Sequence, residues 1–322
     1  MVQRENEKIR SAMINLEKKF NVGITLETNR REFDAFLETY HPYIHSFYFS
    51  LPTSYLYHTR TKIAAEFLLP GKKRLFWYML ERAAEYGIEL ELLFNTLRLD
   101  DALVEDAART LDAHGIRVDS VCFLRPYYDA VVKCFPDKKL IWSFNNGFRS
   151  RDELSAVLDE HRGDAVVLGS LFIRNNALFE QLGQRGCPAY LLLNNACSFN
   201  CDTCNNTQSV CQSAFEENLK KHSVEYLYAL QSIFPFELHD GIIDVTRVQC
   251  LKLSNRSSSL SFTADALDSY LNNEVEKYVR ADKNNYAIWG RAGYFWKHYG
   301  RMDLDAILRI KEELLLGGRS PS

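Results

Sequence analysis

One feature restricts the fold of this 322-residue chain more than any other: from about His45 to Ser254, strand-like and helix-like segments alternate. The strand candidates are Ser46–Leu51, Ile88–Phe94, Arg117–Phe123, Leu140–Phe144, Ala165–Gly169 and Ala189–Leu193, followed by the weaker Gly241–Val245 and Val248–Leu253. Most are nearly continuous apolar runs, the pattern of parallel strands covered on both faces. Between them, Lys72–Tyr86 sets Leu75, Phe76, Met79, Leu80 and Ala83 on one stripe. Asp101–Ala113 and Arg151–His161 repeat that periodicity and begin near capping aspartates. Gly87, Gly115 and Gly163 stand where helix C-caps are needed. Eight such units predict an α/β protein, a (β/α)8 TIM-type barrel with a C-terminal helical appendage. An open doubly wound sheet is the alternative with the same local signature.

The expected organisation has three parts. Residues 1–44 form a helical or strand lead-in whose start, Met1–Lys19, is charged and amphipathic. Residues 45–257 form the barrel. Residues 258–322 lose the alternation: Thr263–Asn273, Tyr286–His298 and Asp303–Leu315 read as helices, and Gly317–Ser322 as a tail. With 46% hydrophobic residues, the chain can bury a full core. A net charge of −3 indicates neither a nucleic-acid nor a membrane-surface partner. No apolar run reaches the roughly 18 residues that span a bilayer. The N-terminus lacks the apolar stretch of a secretory signal, so the cytoplasm is the expected location.

The cysteines are bunched. Of eight, Cys197, Cys201, Cys204 and Cys211 fall within one short stretch. In a long chain with ample core and no export signal, clustered thiols point to metal rather than to disulfides. The segment reads Tyr190-Leu-Leu-Leu-Asn-Asn-Ala-Cys197-Ser-Phe-Asn-Cys201-Asp-Thr-Cys204, a buried strand that ends in asparagines and runs straight into C-x3-C-x2-C. In a barrel, that junction is the C-terminal face, where sites are built. Three thiolates so spaced can converge on a 4Fe-4S cluster, leaving one iron for S-adenosylmethionine, a substrate or a fourth protein ligand. Cys211 is the near candidate for the fourth ligand. Cys250, in the last candidate strand, is the alternative if that strand returns it to the same rim. A four-thiolate zinc site built from the same cysteines, on a non-enzymatic scaffold, is the rival. Cys122, Cys134 and Cys187 read as structural.

Two resemblances attach to these residues. The C-x3-C-x2-C string is similar to the signature of the radical SAM superfamily, which implies a 4Fe-4S cluster and S-adenosylmethionine. It follows about the sixth candidate strand here rather than the first, and Thr203 stands where that family favours an aromatic. The run Leu-Asn-Asn-Ala-Cys197 with its clustered cysteines, followed by Cys250-Leu-Lys-Leu-Ser-Asn-Arg256, resembles the collagenase-like U-type peptidase family over roughly Ser46 to Asn273. That resemblance implies a TIM-type barrel, a 4Fe-4S cluster and oxygen-independent hydroxylation. Asn255 replaces that family's glycine.

Carboxamides crowd the expected strand ends. Asn95, Asn145, Asn194 and Asn195 can hydrogen-bond a polar substrate, although asparagine also suits turns after strands. Arg125, Arg174, Lys252 and Arg256 lie near strand ends, and Arg256 is the candidate for an anionic group. His239 reads as a proton carrier or a polar loop residue. The sequence therefore predicts an iron–sulfur enzyme acting on a small polar substrate in the barrel mouth, supplied by an external electron donor.

Overall fold

The structure, a computed structural model, describes residues 14–51, 69–95, 101–148, 150–169, 172–194, 216–254, 259–288, 298 and 301–316. Eight parallel strands close into a barrel in sequence order: β1 (Phe20–Gly23), β2 (Ile44–Phe49), β3 (Glu89–Phe94), β4 (Ser120–Phe123), β5 (Lys139–Trp142), β6 (Ala165–Leu168), β7 (Ala189–Leu192) and β8 (Val248–Leu253). Closure is made by β8 on β1, with Asn21 opposite Lys252. The helices are α1 (Arg30–Tyr40), α2 (Pro70–Glu85), α3 (Asp101–Ala113), α4 (Tyr128–Cys134), α5 (Arg151–Glu160), α6 (Asn176–Gln184), α7 (Val224–Gln231), α8 (Pro235–His239), α9 (Leu260–Asn272), α10 (Val275–Ile288) and α11 (Leu304–Leu316).

The (β/α)8 barrel is as the alternation predicts, but two strands differ from expectation. β1 lies inside the 1–44 lead-in, so the barrel begins at Phe20. Its four residues, Phe-Asn-Val-Gly, are too short and too broken by Asn21 to read as a strand alone; pairing with β2 and β8 makes them one. Conversely, Gly241–Val245 is not a strand. Gly241 takes a positive φ of 71° after α8, and Asp244 caps the 3-10 turn Val245–Arg247 by accepting from the Thr246 amide. The cysteine-bearing segment consequently follows the seventh strand, not the sixth.

The barrel separates two apolar layers. Tyr48, Leu93, Cys122, Ile141, Ala165, Val167, Tyr190, Leu192 and Cys250 fill its interior. A larger set, with Phe20, Val22, Phe47, Leu92, Phe123, Trp142 and Leu251 from the strands, packs outward onto the helices. These strands are buried on both faces, which is why their apolar runs are continuous. Asn29 and Glu32 form a reciprocal capping box that starts α1. Gly87 and Gly115 end helices at φ +66°, as expected. Gly163 has another reason to be glycine: a Cβ there would sit 2.3 Å from Trp142 Nε1.

The C-terminal helices are more integral than an appendage. α9 follows β8 and packs on α1, supplying the last helix of the barrel's outer ring, and α10 packs on α9. α11 lies against α7. Lys311 of α11 is fully buried and donates to the Ala229 and Ser232 carbonyls and to Glu237.

Candidate functional site in the barrel interior

β-strand alternation sends every second residue inward, and most inward positions here are apolar. A polar centre interrupts them. Glu91 of β3 has no exposed side-chain surface and pairs with the Lys252 ammonium of β8, whose side chain is 10% exposed. The other Glu91 oxygen accepts from Asn21 Nδ2 at 2.9 Å, and the same amide donates to Ser46 Oγ at 2.5 Å. Lys252 Nζ also lies 4.1 Å from the centre of the Tyr48 ring, a cation–π arrangement. Tyr48 itself donates through its hydroxyl to the Leu253 carbonyl at 2.8 Å.

Electrostatics follow from this packing. Burial disfavours the Lys252 ammonium, but the Glu91 carboxylate beside it outweighs that and holds the pKa above the ordinary lysine value. Lys252 is therefore a charged donor at neutral pH, not a neutral nucleophile. Burial, reinforced by Glu91, pushes the Cys122 thiol up to about 12, against the opposing pull of Lys252. Cys122 thus stays a protonated core residue.

A second polar group lies below, toward the N-terminal end. His45 Nε2 stands 3.5 Å from Glu89 and 3.4 Å from the Tyr190 hydroxyl. Cys250 belongs here. It pairs with Tyr190, is fully buried, and donates through Sγ to the Lys19 carbonyl at 3.2 Å. Burial raises its pKa well above the ordinary thiol value. The expected return of Cys250 to the cysteine rim is not what the register gives. Inward alternation along β8 puts Lys252, not Cys250, on the mouth side.

Several other expected site residues have structural partners. Asn194 is fully buried after β7; its Nδ2 donates to the Ser254 carbonyl and to Asp282, each at 2.9 Å, and its Oδ1 accepts from the Ser254 amide at 2.7 Å. It clamps the ends of β7 and β8 to α10, and both of its Nδ2 protons are used in doing so. Asn145 and Asn95 do meet at the mouth, where Asn145 Nδ2 donates to the Asn95 carbonyl at 3.0 Å. Arg174 is tied to Glu237 at 2.6 Å and to the Leu230 and Ser232 carbonyls, a buried framework shared with Lys311. Arg125 forms an exposed pair with Glu160. His239 meets the Tyr270 carbonyl at 2.7 Å. Cys197, Cys201, Cys204, Cys211, Asn195 and Arg256 lie outside the described residues.

Sequence reasoning missed Asn21 and Glu91. The signal was present in Glu89-Leu-Glu91-Leu-Leu-Phe: two carboxylates at strand period inside an apolar run mark a charged inner face. Among the described residues, no group of three or more His, Cys, Asp or Glu side chains can hold a metal ion. No described helix is long and apolar enough to cross a membrane.

No protein-family model and no curated protein sequence matches the chain. Among solved structures it is similar to the U32 peptidase Mk0906, with TM-score 0.44 and 11% identity over 74% of this chain and 92% of that one. It is also similar to a putative dihydrodipicolinate synthetase from Pseudomonas aeruginosa, with TM-score 0.43 and 11% identity over 93% of this chain and 98% of that one. A third is a muconate cycloisomerase from Azorhizobium caulinodans, with TM-score 0.41 and 13% identity over 76% of this chain but only 57% of that one.

Proposed function

We propose that the protein is an enzyme that acts on a small polar substrate at the C-terminal mouth of the barrel, beside a 4Fe-4S cluster bound by Cys197, Cys201 and Cys204. One observation carries the reading. Leu192 of β7 is the register partner of Lys252 of β8, and the chain leaves the rim at Asn194, three residues before Cys197. The thiol-rich segment therefore departs from the strand next to the Lys252–Glu91 centre.

The donor chemistry fits a soft-metal group. The four described cysteines are Cys122, Cys134, Cys187 and Cys250, and none belongs to a described metal site. Three thiolates at C-x3-C-x2-C, with Cys211 as a candidate fourth, suit iron–sulfur ligation. Such a cluster, once bound, supplies single electrons from an external donor, for S-adenosylmethionine cleavage if one iron is open or for a hydroxylation-type redox step if Cys211 closes it. The chain's own contribution is the interior centre: Lys252 donates a hydrogen bond, Glu91 holds Lys252 charged, and apolar side chains line the interior around them.

Anaerobic reconstitution followed by iron, zinc and acid-labile sulfide analysis tests the proposal. The expected result is about four irons per chain, falling sharply in Cys197→Ala, Cys201→Ala and Cys204→Ala but not in Cys250→Ala. A colourless protein with zinc and no sulfide would replace this reading with the zinc scaffold. Electron paramagnetic resonance of the reduced protein with and without S-adenosylmethionine separates the two redox routes.

A further inference from the structure

We infer that the Asn21–Glu91–Lys252 centre is a binding site for an uncharged substrate group that carries both a hydrogen-bond donor and an acceptor, such as a hydroxyl or a carboxamide. The inference rests on the barrel mouth being the substrate site and is independent of the cluster.

The first observation is an unfilled acceptor. Asn21 is fully buried, and its Nδ2 is used twice, but its Oδ1 has no hydrogen-bond partner. Buried carboxamide oxygens are rarely left so, because the group gives up its bond to water on burial. The second is an unfilled donor. A lysine ammonium carries three protons. Among the described residues one goes to Glu91 and the Tyr48 ring takes another direction. The third proton has no acceptor among the described residues. Both unfilled positions belong to side chains that bond the same carboxylate, Lys252 to Oε1 and Asn21 to Oε2. Lys252 is also the member of the ion pair that keeps some exposure, so the centre is not sealed.

Charge then selects the ligand. The ammonium and the carboxylate cancel, and Asn21, Ser46 and Tyr48 add no charge. An anion drawn to Lys252 would be set against Glu91, and a cation drawn to Glu91 would be set against Lys252. An uncharged dipole meets neither penalty: its oxygen accepts from Lys252, and its O–H or N–H donates to Asn21 Oδ1. The surrounding Tyr48, Leu93 and Ile141 side chains offer apolar surface for the carbon skeleton.

The test is saturation-transfer NMR on the full chain as purified, with three probes of nearly equal size: glycolamide (neutral), glycolate (anionic) and ethanolamine (cationic). Glycolamide should bind at least tenfold more tightly than the other two, and Asn21→Leu should abolish its signal. Glu91→Gln leaves Lys252 unneutralised and should shift preference to glycolate, a gain that a misfolded variant would not show. Equal or tighter glycolate binding by the unaltered protein would overturn the inference. So would glycolamide binding that Asn21→Leu leaves intact, or binding of none of the probes, the centre then being an ion pair completed by water. Iron content of the same samples separates the two proposals. Iron without probe binding sinks this one alone, and glycolamide binding without iron sinks the cluster alone.

Discussion

Replacing Lys252 by methionine keeps the side-chain length and removes the charge. Glu91, with no exposed side-chain surface, then keeps Asn21 Nδ2 at 2.9 Å as its one described donor. Removing one partner of a buried ion pair costs about 3–5 kcal/mol, because the other charge is left in a medium that cannot solvate it. At about 2.1 cal/mol/K per residue, a chain of 322 residues has an unfolding entropy of roughly 0.7 kcal/mol/K. The Tm should therefore fall by about 4–7 °C. Glu91→Met strands the ammonium instead and should cost a similar amount. The double variant Lys252→Met/Glu91→Met buries no charge. Its loss should be smaller than the sum of the singles by about 2 kcal/mol or more. Differential scanning calorimetry of the four proteins under one anaerobic buffer reads the cycle. Strict additivity, or a Lys252→Met Tm within about 1 °C of the parent, would show that the two charges are not coupled in a low-dielectric interior.

Gly163→Ala should destabilise by about 1–3 kcal/mol in thermal melts, since the new methyl meets the Trp142 indole at 2.3–2.5 Å; a neutral result would mean that the indole can swing away at no cost. Asn194→Leu breaks the three hydrogen bonds that join β7, β8 and α10 and leaves Asp282 short of a donor. We expect a loss of about 2–4 kcal/mol in urea melts, and a loss under about 0.5 kcal/mol would refute the clamp. Burial, aided by Arg174, presses the Lys311 pKa from 10.5 down to about 7 despite Glu237. Between those values the unfolded chain holds more protons than the folded one. The Lys311 contribution therefore grows as pH rises through this window and is lost as pH falls through 7, by at most about 1.4 kcal/mol per pH unit. Urea midpoints between pH 7 and 9 should climb less steeply in Lys311→Met; an unchanged slope would contradict the assignment.

How much of this was legible in the sequence follows from where the information sits. α3 has its predicted bounds because its apolar stripe and the acidic first turn at Asp101 are local signals. Strands β6 and β7 are legible because a strand covered on both faces shows itself as an unbroken apolar run, and β3 and β8 because only isolated polar residues interrupt theirs. β1 is not legible, because what makes Phe20–Gly23 a strand is its partners, Ile44–Tyr48 and Leu251–Leu253, which pair with it from 24 or 25 and from 231 residues away in sequence. Gly241–Val245 misleads for the complementary reason. Its Ile-Ile pair has strand propensity, but Ile243 buries in the outer layer from a turn whose amide bonds the Glu237 carbonyl. The site divides in the same way. Lys252 is visible as a charge in an apolar run, whereas its pairing with Glu91 spans 161 residues and depends on both strands facing one interior.

The two strand errors cancel in the count, and that cancellation matters for function. Counted from His45, the cysteine segment follows the sixth strand, with two more strands between it and closure. Counted on the barrel, it follows β7, and the next strand in space is β8, which carries Lys252. Residues 195–215 thus lie, in sequence, between the last two strands. The loops after strands 7 and 8 of a (β/α)8 barrel frequently contribute to a ligand site on its C-terminal face. This placement also separates the two cysteines considered for a fourth ligand. Cys250 shares a strand with Lys252 but lies two residues earlier, inside the floor and bonded to Lys19. Cys211 lies in the same stretch of sequence as the other three. If the proposed cluster is bound through Cys211 beside the β7–β8 rim, metal loading should alter the Lys252 environment. The 15N resonance of the Lys252 ammonium, assigned by its loss in Lys252→Met, should shift or broaden on reconstitution in the parent protein. An unmoved resonance would place the cluster away from the β7–β8 rim and separate the two halves of the proposed site.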